Sequence, residues 1–560
     1  TPVELANGAL GAELALEGAS LLLDTRVGLP SGKLSLTAQE DLELGAGAQL
    51  DLAGRALRFD DVTRYSWGGE VNLLSHGGNI RQAGASRIDL SASNNQAGSL
   101  TAVALDSAAG VVDLQGQILA ASSGEYDAGG TLVPYAAGSV EIRAQRLGED
   151  GTPDSRFAAL NQRLNAGQVF GARSFQIKQG DLNIGNDVRA STIEVSLDGG
   201  HLSVNGVLDA SGEQVGSIRL AAKQGLSIGG EALLDAHGRR LRVDSYGKII
   251  DSPNRALIEL NAGDGLLSLG AGARIDLRHG TEAAVGSAPG QNDGVARGTL
   301  DLYAPRLGGA TAGDIAIDAG APLQILGARA ITLSAVQRYD DAPVAALPAS
   351  NGRPYQEITQ AYLDGKHQQS ELFMQAALAN SALLDGKLAG LNNAAYAEAF
   401  HLRPGLEIVS ATADGDLVVQ GDLDLSGYRY ASLNPRTAKT SVYGSGEAGS
   451  LAIRAGGDLN IYGSVTDGFA PPPETDDDQG WLLLAGQDHL GGDRVVPTAG
   501  VRLDDDSFFP AGKTLNFELP IKALTLAAGT RLPVEAVLSQ PLQLPVGTVL
   551  EGALLDAAGN

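Results

Sequence analysis

Cysteine is absent from these 560 residues, methionine occurs once and tryptophan twice. The first absence excludes disulfides, thiolate zinc sites, thiol catalysis and iron–sulfur clusters. Large side chains are scarce, with aromatics at 4%. That leaves little to fill the several globular cores a chain of this length usually builds. Long apolar runs are missing too: none approaches the roughly 18 residues that span a bilayer, so no membrane insertion is expected. Basic residues number 40 against 66 acidic ones, a formal charge of −26. With no basic stripe, nucleic acid is not an expected partner, and anionic membrane surfaces are disfavoured. The opening Thr1-Pro2-Val3-Glu4 shows neither an initiator methionine nor a signal peptide. A fragment or a processed product is therefore expected.

What is abundant is glycine, at 75 residues, roughly twice the usual share. The 43% hydrophobic content is carried mostly by Ala, Val, Ile and Leu. Small and branched side chains with many glycines suit thin β layers joined by tight turns. No strict glycine triplet exists, which excludes collagen, and recurrent short apolar strands argue against disorder.

A unit of three short strands recurs. It reads LSLTAQEDLELGAGAQLDLAG from Leu34, IEVSLDGGHLSVNGVLDASG from Ile193, IRLAAKQGLSIGGEALLDAHG from Ile218 and IELNAGDGLLSLGAGARIDLRHG from Ile258. Val71 starts a looser copy, and Leu451 to Ile461 keeps the first two strands. The first-to-second strand spacing is 8 for Leu34 to Leu42, Ile218 to Leu226 and Ile258 to Leu266, and 9 for Ile193 to Leu202. Apolar residues at i and i+2 give each strand one inward face. Such strands bury that face only if successive repeats stack, which is the logic of a solenoid. Roughly fifteen coils spaced by about 4.8 Å would make a rod on the order of 70 Å long. Asp-Gly and Asn-Gly pairs such as Asp198-Gly199 and Asn205-Gly206 supply corners tolerant of positive φ, the expected origin of the glycine excess.

The predicted fold is an all-β parallel β-helix with short helical and loop insertions. Residues 1–350 form coils with loops and a short helix near 155–166, where Phe157, Leu160 and Leu164 have helical spacing. Residues 351–402, which contain the one methionine, form a helical insertion of two or three short helices projecting from the rod. Residues 403–468 return to coils, 469–513 are a loop-rich insertion, and 514–560 form an irregular C-terminal β module. Loops protrude near 122–136, 280–297 and 431–448.

The copies GSLAIRAGGDLNIYGSVTDGF from Gly449, HLRPGLEIVSATADGDLVVQGDLDLSG from His401 and SIRLAAKQGLSIGGEALLDAHG from Ser217 resemble the filamentous-haemagglutinin-like exoproteins of Gram-negative bacteria. The resemblance implies a shaft segment of a right-handed parallel β-helix, exported by two-partner secretion through an outer-membrane β-barrel transporter. It implies a secreted or outer-cell-surface location and a role in attachment, aggregation or biofilm formation. The implied partners are surface glycans, exopolysaccharide or other copies of the chain. The family's Asn-Pro-containing secretion motifs have no counterpart near Thr1. Asn434-Pro435 lies far downstream, so the secretion domain is expected outside this chain.

No catalytic, cofactor or metal residue is predicted, and the chain is not expected to be an enzyme. Asp51, Asp89, Asp209, Asp235, Asp276 and Asp424 share one place in the third strand. Stacking them outward would suit Ca²⁺, whose ligands are carboxylate oxygens. The alternative is a solvated face with repulsion relieved by Arg219 and Arg278. Asp476 to Asp478 and Asp504 to Asp506 match no calcium-loop pattern. The seven histidines show no HxxxH or HExxH spacing. Among aromatics near loops, Tyr428, Arg429, Tyr430 and Tyr443 are the predicted exposed ligand or partner surface. The competing functions are a carbohydrate-active β-helix enzyme and a carrier rod for a contact-dependent toxin.

Overall fold

The computed structural model describes residues 10–466 except 109, 187, 280–295, 346–352, 420, 435–437 and 441–444, together with the backbone of a few short strands beyond 466. The chain divides into two compact units, residues 1–468 and 469–560. In the second, Val501–Leu503 pairs antiparallel with Phe508–Phe509 and Leu524–Leu526, and Arg494–Val495 with Thr514–Leu515. The rest of the predicted 469–513 insertion and 514–560 module lies outside the described residues.

The first unit is a parallel β-solenoid with three sheets. Its first sheet has 14 strands, one of them off the main path, which leaves thirteen rungs in an unbroken row. Twelve spacings of about 4.8 Å make that row roughly 60 Å long, two rungs short of expectation. The strand Lys33–Ala38 shows the alternation: Leu34, Leu36 and Ala38 point inward and are at most 1% exposed. Register stacks the same column coil upon coil, so Leu34 lies beside Val71, Val71 beside Leu100, and Leu100 beside Val140. Each such Leu, Ile or Val, buried, contributes about 1.5–3 kcal/mol. One rung differs from the sequence reading. Leu266 is exposed and Leu267 points inward, because Gly263, at φ +58°, belongs to a turn one residue longer than that after Ile218.

The second and third sheets are each broken twice, at the same coils. The breaks are where the helices lie. Helix α1, Pro153–Ala166, begins at Thr152, which forms a capping box with Ser155, and Pro153 follows in the first turn. Its Phe157, Leu160 and Leu164 join the main core, and its backbone exit Gly167 takes a third-strand place by accepting from Ala120 N at 2.9 Å. Helix α2, Gln360–Leu378, and the π turn Ala382–Lys387 replace coil strands in the same manner. Phe373, Met374, Ala377 and Leu383 are fully buried in the core. The expected projecting helices are therefore corrected: both are layers within the stack. A helix buries a wider apolar stripe than a three-residue strand, so it is stable there only when coils lie against it.

Two arginines, Arg173 buried and Arg306 half-buried, fasten these layers to the unbroken sheet. Arg173 occupies an inward position between Val140 and Ile193. Its guanidinium donates to Val169 O at 3.0 Å, Asn161 Oδ1 at 2.9 Å and Asn165 Oδ1 at 2.7 Å, at the C-terminal end of α1. Burial lowers its pKa to about 9, so it remains charged at neutral pH, where the helix dipole favours it. Arg306 donates to Ala335 O at 3.0 Å and Ser370 Oγ at 3.1 Å, and lies 4.3 Å over the Phe373 ring. Burial lowers it to about 10.

Candidate recognition surfaces

The aspartate ladder exists, and its chemistry is local. Asp51 is in register with Asp89, and Asp209, Asp235 and Asp276 follow one another on adjacent rungs. From Asp89 onward each carboxylate accepts the backbone N–H two residues ahead: Ser91, Ser211, His237, Arg278 and Ser426 donate at 2.9–3.1 Å. The aspartate thus closes a turn at the strand end. Cations then neutralise the stack. Arg55 reaches Asp51 at 2.7 Å, Arg87 reaches Asp89 at 2.6 Å, and Arg278 holds both oxygens of Asp276 through Nε at 2.9 and 3.1 Å. Arg219 does not take part. It stands on the first sheet and pairs with Glu194 at 2.7 Å.

Among the described residues, Asp235, His237 and Asp276 come within 4.8 Å of one another through potential ligand atoms. Asp235 Oδ1 already contacts His237 Nδ1 at 2.6 Å, and Asp276 is held by Arg278. The arrangement is accounted for by turns and charge pairs. Burial raises the Asp276 pKa, but the Arg278 hydrogen bonds and charge lower it further, so it ends below its ordinary 3.8. A depressed carboxyl contributes stability above its ordinary value and loses it as pH falls through the folded value. Asp276→Asn is therefore expected to be about 1–3 kcal/mol less stable than the parent at pH 7. That gap should close below pH 3.8; thermal melts across pH 2–7 measure it, and a constant gap would contradict the assignment.

The predicted Tyr428–Tyr430 surface is corrected. Tyr430 is 1% exposed, in the main core, with its hydroxyl 3.0 Å from His367 Nδ1 on α2. Tyr428 is half-buried and stacks on the His367 ring at 4.4 Å, donating to Asp364 at 2.6 Å. Burial and Asp364 raise its pKa. These tyrosines seat α2, because the helix needs an aromatic cover where the coil is interrupted. Arg429 is half-buried in the strand Arg429–Tyr430; Tyr443 lies outside the described residues.

Exposed aromatics gather elsewhere. Between the third strand of one coil and the first strand of the next, the chain makes excursions at the same corner of several coils. Ala56–Phe59 and Val62–Tyr65 form one antiparallel hairpin, and Glu125–Asp127 with Leu132–Pro134 another. A third excursion carries the Val243–Ile249 bridge. Asn95 Nδ2 donates to Tyr65 O at 2.8 Å, Asn94 N to Ser123 Oγ at 3.1 Å, and Val243 N to Thr131 Oγ1 at 2.7 Å. These bonds tie neighbouring excursions into one crest. Among the described residues no layer covers its side chains: Phe59 is 60% exposed, Trp67 53%, Leu132 54% and Tyr246 94%. Tyr126 is exposed beside Tyr135, ring centres 5.2 Å apart. The sequence announced the 122–136 loop. At the Ala56 hairpin the sequence marks only Tyr65 and Trp67, aromatics that fall near loops and not inside coils.

On the outer face of the first sheet, Glu259 lies in register with Asp301 on the next rung. Burial raises both carboxyls; Arg219 opposes this at Glu259, and Arg403, 3.7 Å away, at Asp301. Tyr303, two residues on, is pushed up to about 12 by burial.

Among the described residues, no helix is long and apolar enough to cross a membrane. No family model, curated protein or solved structure matches the chain.

Proposed function

We propose that the chain is a shaft segment of a secreted or cell-surface β-helical adhesin or matrix protein, of the filamentous-haemagglutinin-like kind, acting in attachment, aggregation or biofilm formation. The observation that carries this reading is the crest, a row of exposed aromatics displayed along one corner of a stack of coils. Aromatic rings supply large contact area with few rotatable bonds, which suits anchoring on sugars or on another protein surface. Stacked coils hold the anchors on one rigid scaffold, so weak contacts engage together.

The test is a Phe59→Ser, Trp67→Ser, Tyr126→Ser variant assayed for bacterial-surface and glycan attachment and for self-aggregation. Attachment should fall at least tenfold while the protein still unfolds cooperatively with only a small drop in melting temperature, since these side chains are 41–60% exposed and lie outside the coil core. Undiminished attachment would remove the crest from the function. The Glu259–Asp301 pair favours the second reading, a carbohydrate-active enzyme, because glycosidic cleavage uses two neighbouring carboxyls, an acid of raised pKa and an ionised base or nucleophile. Release of reducing ends or unsaturated products from polysaccharide by the parent protein would select that reading.

A further inference from the structure

We infer that the outer face of the first sheet carries a second binding site, separate from the crest, for an extended neutral polysaccharide.

The site begins with unequal strand lengths. The rungs from Lys33 to Asn261 are five or six residues long, but Gly298–Leu307, Ala328–Tyr339 and Phe400–Val409 run to ten, twelve and ten. Their extra residues overhang the shorter rungs and leave a trough of about 530 Å³. Its lining comes from successive rungs, from Ser196 through Tyr303 and Glu407 to Arg454. In-register neighbours repeat every strand spacing, about 4.8 Å, close to the length of one pyranose ring. A polymer of such rings laid across the rungs meets polar lining side chains from most rungs, with Ala221 beside Ser196 and Ala452 beside Glu407 between them.

The charges in the trough point to an uncharged ligand. Glu407 is clamped between Arg338 Nε at 2.9 Å and Arg454 Nε at 3.0 Å, and Arg338 also reaches Asp264 at 2.9 Å. These groups satisfy one another, so they are rigid forks whose remaining donors and acceptors suit hydroxyl pairs. Acidic and basic lining residues balance: Asp198, Glu259 and Glu407 against Lys223, Arg338 and Arg454. The chain's −26 charge opposes a polyanion. Between the charges stand polar side chains suited to hydroxyls, of which Tyr303 is half-buried.

The test is isothermal titration of the full chain with cellohexaose, laminarihexaose and maltohexaose, and with hexagalacturonate as the charged comparator. At least one neutral hexamer should bind, more tightly than its trimer and than hexagalacturonate. Tyr303→Phe, which keeps the ring and removes only the hydroxyl, should weaken it about tenfold. Lys223→Met, at an exposed position, should weaken it severalfold. Leu22→Ser, 67% exposed on the second sheet and outside the trough lining, should leave it unchanged. Absence of binding by all three neutral hexamers, tighter binding of hexagalacturonate, or parental affinity in Tyr303→Phe would overturn the inference.

Discussion

Gly98→Ala is expected to destabilise the solenoid by about 3 kcal/mol or more, whereas Gly28→Ala changes stability by no more than about 0.5 kcal/mol. The reason is a column of glycines that precede the first-sheet strands. Gly32, Gly69, Gly98, Gly138 and Gly171 hold this place in five successive coils, and Gly216 and Gly298 hold it further on. A Cβ on Gly98 would sit 1.8 Å from Gly69 O, and one on Gly171 2.0 Å from Ala137 O. The obstacle is the backbone of the preceding coil, which cannot step aside without breaking the ladder. None of these glycines has positive φ, so their necessity is steric and lies between coils. At Gly28, also without positive φ, an added Cβ meets nothing within 4 Å. Urea unfolding of both variants beside the parent measures the contrast. Because each coil is stabilised by its neighbours, the Gly98 variant should also lose hydrogen-exchange protection in the adjacent rungs first. Equal midpoints for the two variants would refute the steric account.

The second large effect is expected at Arg173. Arg173→Met fills the inward position with an apolar side chain but removes the donors that Asn161, Asn165 and Val169 O now share. Buried acceptors left without a partner cost about 1–3 kcal/mol each in unfavourable cases, so a loss of about 3 kcal/mol or more is expected. Arg173→Lys should recover only part, because an ammonium cannot spread its donors over three acceptors on a fork. Thermal melts give the magnitude. Hydrogen exchange gives the place, with α1 and the strand Ala172–Ile177 opening before the coils around Ile218. A Met variant as stable as the parent would show that α1 is held by apolar packing alone.

These two sites also mark how far the sequence could be read. The inward columns were legible because period-two alternation is a property of neighbouring residues, and Leu34, Ile193, Ile218 and Ile258 all stand where the pattern put them. The aspartates were legible as a ladder for the same reason; that those from Asp89 onward close turns was not. Tyr430 was misread because local sequence shows a tyrosine beside glycine-rich turns, while its burial depends on His367 and Ser370, some sixty residues earlier. Tyr65 and Trp67 are legible as loop aromatics, but that Ala56–Phe59 and Val62–Tyr65 close into an antiparallel hairpin rests on their pairing.

By itself the sequence determined the stacking of short strands, because apolar spacing and turn chemistry recur along the chain and each repeat is unable to bury its face alone. The tertiary structure decided what those repeats exclude and admit. It shows that glycines such as Gly98 and Gly171 precede their strands because the previous coil occupies the space of a Cβ, and that two helices serve as layers because an arginine from the unbroken sheet satisfies or braces them. It also brought the exposed aromatics to one corner, since side chains distant in sequence become neighbours only when coil lies upon coil.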